Sequence, residues 1–240
     1  MVDIAYLVPG SGFAADERAR RERIANDLTR ASVTVVNASP DGPSSIESTV
    51  DDALSVPGTL SRARAIESEY DAIVVGCFGD TGLRPLRELV PIPVVGPAEA
   101  TVHTAAQVAD RFGWLTVLDR TVPMCREQLH ALGLADRCAG VRSVDAPVED
   151  IDHESTALAE RMVDTGARAV REDGADALFP GCMTLSFAQQ HEVVAERLDV
   201  PFLDPATIAL EQATTWARHG ITQSDRSYPP VDASDIDALR

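Results

Sequence analysis

The chain contains no lysine: all 21 of its basic residues are arginine, set against 38 aspartates and glutamates. Without a lysine amine no Schiff base can form, so carbonyl chemistry through an imine is excluded. The resulting net charge of -17 repels nucleic acid and anionic lipid, and neither nucleic acid nor a membrane is an expected partner. Such a surface stays hydrated where salt screens its self-repulsion, which favours a halophilic origin over the plain arginine bias of a GC-rich genome. A stability that rises with KCl concentration would check this, and indifference to salt would refute it. Aromatic residues make up only 5% of the chain, so aliphatic side chains must fill its cores. No apolar run reaches the length needed to cross a bilayer, and "MVDIAYLVPGSG" has no basic region ahead of an apolar one, so a cytoplasmic location is expected. Cys77, Cys125, Cys138 and Cys182 show neither C-x-x-C spacing nor paired histidines of zinc-site type, and no metal is expected. Disulfides are not expected in a reducing compartment.

What is present is an alternation of short apolar runs with longer amphipathic stretches. The runs lie at 4–8, 33–37, 72–76, 92–96, 115–119, 140–146, 177–181 and 201–204. Helical patterns fill 14–30, 46–69, 98–111, 121–132, 153–173, 186–198 and 205–219. Strands that are apolar throughout and separated by helices imply parallel sheets covered on both faces, an α/β chain. An internal repeat divides it. Asp71, Ala72, Gly76 and Cys77 coincide with Asp176, Ala177, Gly181 and Cys182 at a single offset of 105 residues. "IPVVGPAEA" and "VPFLDPATIA" then match further on, at an offset of 108. The expected architecture is two pseudo-symmetric α/β halves, 1–97 and 98–204, with an active site in the cleft between them. A helix over 205–222 is expected to return to the first half, and 223–240 to form an extended acidic tail.

The repeat places Cys77 and Cys182 at the carboxyl ends of matched strands, where ligands of open parallel sheets gather and helix N-termini present backbone N–H groups. A lone cysteine at a strand end is most simply a small buried hydrophobe. Two of them at equivalent ends, each preceded by glycine and followed by a polar turn, argue for function. Facing thiols can take a proton from one side of a substrate carbon and return it from the other, which needs no cofactor. Cys125 and Cys138 lack this setting and are assigned to packing or surface.

The segments "GCFGDTGLRPLRELVPIPVVGPAEA" and "GADALFPGCMTLSFAQQHEVVAERLDVPFLDP", with "GPSSIES", resemble the aspartate/glutamate/hydantoin racemase superfamily, and its hydantoin racemase branch most. The similarity covers nearly the whole chain. It implies catalytic acid and base roles for Cys77 and Cys182, and substrate binding by Gly79, Asp80, Thr81, Met183 and Thr184. The substrate implied is small, with an acidic C–H beside a carbonyl: a hydantoin, ureide or amino-acid derivative. Where hydantoin racemases follow the first strand with an asparagine-proline-asparagine-threonine type loop, this chain has "VPGSG", whose Pro9 and Ser11 are assigned to substrate binding. Thr81 stands where relatives often carry proline. A binding or accessory protein that keeps the pocket without turnover, and a decarboxylase or isomerase of the same superfamily, stay open, as does homo-oligomerisation.

Two rival signals remain. Gly10, Gly12 and Ala15 of "GSGFAA" fit a dinucleotide fingerprint, but the second strand ends at Asn37 with Asp41 beyond it, which places the ribose-binding acid poorly. The five histidines are scattered, with only His103 near enough in sequence to reach the cleft. The acid-rich "VEDIDHES" reads as a solvated loop and helix cap.

Overall fold

The protein is described here by a computed structural model covering residues 1–153 and 155–231. Glu154 and 232–240, the end of the acidic tail, lie outside the described residues. The chain forms two compact units, one of Met1–Pro97 with the chain from Ala209 onward, the other of Ala98–Ile208.

The first unit holds a four-stranded sheet of β1 (Asp3–Val8), β2 (Ser32–Asn37), β3 (Ala72–Val75) and β4 (Val94–Val95), all parallel, in the order β2-β1-β3-β4. Helices α1 (Ala15–Leu28), α2 (Thr49–Ile66) and α3 (Leu83–Leu89) connect these strands. β3 is buried at every position, as a continuous apolar run requires when helices cover both faces. Leu7, Val36, Ile66, Ile73, Val75 and Leu86 pack into one aliphatic core. The edge strand β2 is closed by side chains from α1: Asn26 exchanges two hydrogen bonds with Val33, and Glu22 accepts from the Val35 N–H at 2.9 Å. Those bonds leave fewer backbone groups free to pair with another chain.

The second unit carries β5 (Phe112–Thr116), β6 (Cys138–Ser143) and β7 (Ala177–Pro180), parallel, in the order β6-β5-β7. Its helices are α4 (Pro97–Val108), α5 (Val122–Ala131), α6 (Thr156–Arg168), α7 (Met183–Phe187) and α8 (His191–Arg197). Leu115, Met162, Leu178, Leu185 and Val194 form its core. Helix α9 (Pro205–His219) runs across the division, and the Thr214 hydroxyl lies 3.0 Å from that of Thr29 in the first unit. Beyond it the chain lies along α3: Tyr228 OH accepts from Arg87, and the Gln223 amide donates to Val90 and Ile92.

The repeated residues have repeated jobs. Asp71 pairs with the start of β1 through the Asp3 N–H, and Asp176 holds the start of β5 through the N–H groups of Asp110 and Arg111. At the other end, the Gly76 N–H donates to Leu7 at 2.7 Å and the Gly181 N–H to Leu115 at 2.6 Å, so each glycine closes its strand on the neighbour just before the cysteine.

Several expected elements differ, three of them for a reason visible in the packing. Residues 201–204 make only a single bridge, Phe202 with Leu178, in place of a full strand. The helix expected over 186–198 is two helices, broken at Gln189, whose φ of 58° is left-handed and cannot continue a right-handed helix. The strand expected at 115–119 runs instead over Phe112–Thr116, because the aromatic Phe112 and Trp114 are fully buried and Gly113 fits beneath Leu178.

Candidate functional site

In the first unit the chain leaves β3 through Gly76 into a tight turn. The Asp80 N–H returns to the Cys77 carbonyl at 3.0 Å, and the Leu83 N–H to the Asp80 carbonyl at 2.9 Å. Asp80 holds a left-handed φ of 53° and Gly82 one of 71°. Within this turn the Gly79 N–H points at the Cys77 sulfur, 3.4 Å away, and the sulfur is half-buried. An N–H donor aimed at sulfur stabilises the thiolate. Gly79 is exposed, whereas Thr81 is buried and its hydroxyl donates to Asp52 of α2 at 2.6 Å. The Asp80 carboxyl lies against Gly96, where a Cβ would stand 2.6 Å from its carboxyl carbon.

In the second unit, Gly181 has no room for any side chain: a Cβ there would meet the Trp114 indole nitrogen at 1.7 Å. Cys182 follows as the N-cap of α7, extended at φ -156°, half-buried, with its carbonyl accepting from the Ser186 N–H. The N–H groups of Met183 and Thr184 stand in the first turn of α7, where no intrahelical acceptor exists. Both side chains are buried, so what these two residues offer a ligand is backbone. Only Cys182 therefore sits at a helix start as expected. Cys77 is separated from α3 by its turn, and the glycine N–H takes the place of the helix terminus.

The β1–α1 loop contains the other two assigned residues. Pro9 is buried and Ser11 half-buried, with the Ser11 N–H donating to Pro43 at 2.9 Å. Gly10 and Gly12 both take left-handed φ values, 77° and 76°. At Gly12 the space that a dinucleotide phosphate needs is filled by the Asn37 side chain, whose carboxamide accepts from the Phe13 N–H and donates to its carbonyl. The glycines thus serve a side-chain clamp. Asn37, Asp52 and Asp204 were not among the expected site residues. For Asp204 a signal existed: it precedes Pro205 at a helix start, the pattern of an N-cap, and it accepts from the Thr207 N–H at 3.0 Å.

The remaining thiols differ in kind. Burial pushes Cys125 up to about 11, with its S–H directed at Thr116, and burial likewise pushes Cys138 up to about 11. Neither ionises near neutrality. His103 is exposed on α4 with its Nδ1 at 2.8 Å from the Glu99 carbonyl. In the acid-rich segment, Val148–Asp150 form a single 3-10 turn and the Ser155 hydroxyl caps α6. No helix among the described residues is long and apolar enough to cross a membrane.

The chain is 35% identical over 196 residues to a hydantoin racemase of Pseudomonas sp. (strain NS671), spanning 81% of this chain and 78% of that protein. Among solved structures, an allantoin racemase from Klebsiella pneumoniae superposes with a TM-score of 0.86 at 30% identity, covering 97% of this chain and 96% of that one. A glutamate racemase from Francisella tularensis shares the fold, with a TM-score of 0.63 at 14% identity, covering 95% and 85%. The family described as Asp/Glu/Hydantoin racemase matches residues 14–213, which include both cysteine turns. The chain belongs to the Asp/Glu/hydantoin racemase family and is an isomerase of the racemase type.

Proposed function

We propose that this protein racemises a small cyclic ureide, a 5-substituted hydantoin or an allantoin-like compound, without a cofactor, using Cys77 and Cys182 as acid and base. The observation that carries this reading is the equivalence of the two cysteines. Each follows a glycine that closes its strand on the neighbouring strand, and each is half-buried in a turn that offers backbone N–H groups. The substrate carbon of such a ureide bears a hydrogen beside a carbonyl. One thiolate removes that proton, negative charge develops on the carbonyl oxygen as an enolate, and the second thiol delivers a proton to the opposite face. The first cysteine ends protonated and the second ionised, so the next turnover runs in the reverse sense or awaits proton exchange with solvent. N–H donors aimed at the developing oxyanion lower the barrier, and the first turn of α7 supplies such groups.

The choice of a ureide rests on the chemistry of the relatives together with the composition of the turns. Residues 77–83 and 182–187 include no arginine, and the chain has no lysine, so neither turn itself supplies a cation for a free amino-acid carboxylate. Asp80 in the first turn disfavours one further. The test is proton-deuterium exchange in D2O, followed by NMR, over a panel of hydantoins, allantoin, aspartate and glutamate with no added cofactor. Exchange with inversion on ureides and none on amino acids is expected. Exchange on the amino acids alone would refute the substrate class, and none on any compound would refute the reading altogether.

A further inference from the structure

Four residues beyond each cysteine stands a buried hydroxyl that donates to a carboxylate from a different element. Thr81, 1% exposed, donates to Asp52 at 2.6 Å, and Ser186, also 1% exposed, donates to Asp204. In the second unit the Ser186 oxygen also accepts from the Ala206 N–H at 3.2 Å, and its own N–H donates to the Cys182 carbonyl. The two carboxylates come from opposite directions along the chain. Asp52 lies 29 residues before its hydroxyl and Asp204 lies 18 residues after. The same contact has therefore been built twice with different parts.

In the first unit the contact reaches the thiol itself. The point where a Gly79 side chain would begin lies 3.5 Å from the Cys77 sulfur, 3.8 Å from the Thr81 hydroxyl and 4.0 Å from the Asp52 oxygen, so all three surround one small volume. The turn carrying the sulfur includes Asp80 in a left-handed conformation, which aspartate tolerates and which contacts around the turn hold in place. A hydrogen bond from a hydroxyl to a carboxylate is of the stronger, charge-assisted kind, able to impose it.

We propose that Thr81 with Asp52, and Ser186 with Asp204, are paired positioning residues, each holding its own cysteine turn: the first keeps the Gly79 N–H aimed at the Cys77 sulfur, and the second fixes the start of α7, at which Cys182 is the N-cap. The proposal deepens the two-thiol reading above and rests on it for its functional meaning. Asp52 has a second effect, since a carboxylate near a thiol disfavours the thiolate. Asp80 is the other acid in that turn, and its carboxyl is directed to Gly96.

Peptide-resolved alkylation by iodoacetamide as a function of pH reads each thiol separately and does not depend on any substrate. Thr81→Val should shift the Cys77 profile upward by about half a pH unit or more while leaving Cys182 in place, because the Gly79 N–H is no longer held at the sulfur. Thr81→Ser, which keeps the hydroxyl, should restore the native profile. Ser186→Ala should move Cys182 alone. An unchanged Cys77 profile in Thr81→Val overturns the proposal, and so does an equal displacement of both cysteines, since general loosening would produce that. If Thr81→Val fails to fold, Thr81→Ala and Ser186→Ala decide by the same readings, each expected to move only the cysteine of its own turn. Profiles that move as expected in a protein that exchanges no ureide would defeat the racemase reading and leave the positioning pairs standing.

Discussion

The two cysteine turns are alike in what they present and unlike in how they are made. In the first, a left-handed turn at Asp80 bends the chain so that the Gly79 N–H meets the Cys77 sulfur, and the helix begins only at Leu83. In the second, Cys182 is itself the N-cap residue of α7, so the helix begins at once, at Met183. The glycines that precede them differ in tightness too. A Cβ at Gly76 would approach Tyr6 at 2.9 Å and the backbone of β1 at 3.0 Å, whereas at Gly181 it would lie inside the Trp114 ring. What the repeat preserves is a cysteine placed after a glycine that closes its strand on the neighbour, followed by a turn in one half and by a helix start in the other.

The largest effects should come from the thiols. A hydroxyl in place of a thiol hardly ionises at neutral pH, so Cys77→Ser and Cys182→Ser should each reduce racemisation by roughly 10²–10⁴-fold, the range of acid-base contributions. The remaining cysteine can still exchange the proton it faces. Each mutant should therefore retain deuterium exchange on one enantiomer with little inversion, and the two mutants should prefer opposite enantiomers. A Cys182→Ser protein racemising at the native rate would break the equivalence of the turns.

Next in size are the glycines, where the halves should separate. Gly181→Ala forces the added methyl into Trp114, and overpacking of this kind costs about 1–3 kcal/mol or more, with displacement of Cys182 in addition. Gly76→Ala meets its neighbours less severely and should cost less. Urea unfolding of both variants checks the order, and a Gly76→Ala protein less stable than Gly181→Ala would show that the first half, not the second, holds its glycine more tightly. Asp204→Ala removes a helix cap and the acceptor for Ser186 together, and should lower stability by about 2 kcal/mol.

Much of this was legible in the sequence, and the reasons it was not all legible are physical. Strands β1, β3 and β7 are continuous apolar runs because both faces are covered, and Asp71 and Asp176 mark the repeat because each caps a central strand. The break at Gln189 gave no signal, since glutamine favours helix and only the local geometry sets its φ of 58°. Asp52 was hidden because its partner Thr81 lies 29 residues away, a contact that local pattern cannot register. The "GSGFAA" glycines do take the left-handed conformations that a glycine-rich loop requires, yet it is Asn37 from the neighbouring strand that occupies the space a phosphate would need.

The last comparison concerns pH, where the buried thiols of the second unit add an alkaline response that the Glu17 pair of the first unit does not have. In the first unit, burial alone would raise the Glu17 carboxyl. Hydrogen bonds from Arg20 and Arg21 outweigh it and hold the group down to about 2, against an ordinary 4.5. A folded-state value below the unfolded one contributes stability that is present above about 4.5 and is lost as pH falls toward 2. Arg21 also stacks over Phe13 at 3.8 Å, so acid should loosen the β1–α1 loop along with α1. In the second unit, burial raises Cys125 and Cys138 to about 11 from an ordinary 9.0. The folded state then holds protons that the unfolded chain releases, so stability is intact below about 9 and declines as pH rises toward 11. Hydrogen exchange resolved by peptide should accordingly show earlier opening of Ala15–Leu28 in acid, and of Val122–Ala131 and Cys138–Ser143 in alkali. Arg21→Met, which removes one of the two partners of Glu17, should blunt the acid response without altering the alkaline one. Opening of both units together in alkali would mean that the two buried thiols act on the whole chain and that the alkaline contrast between the halves does not exist.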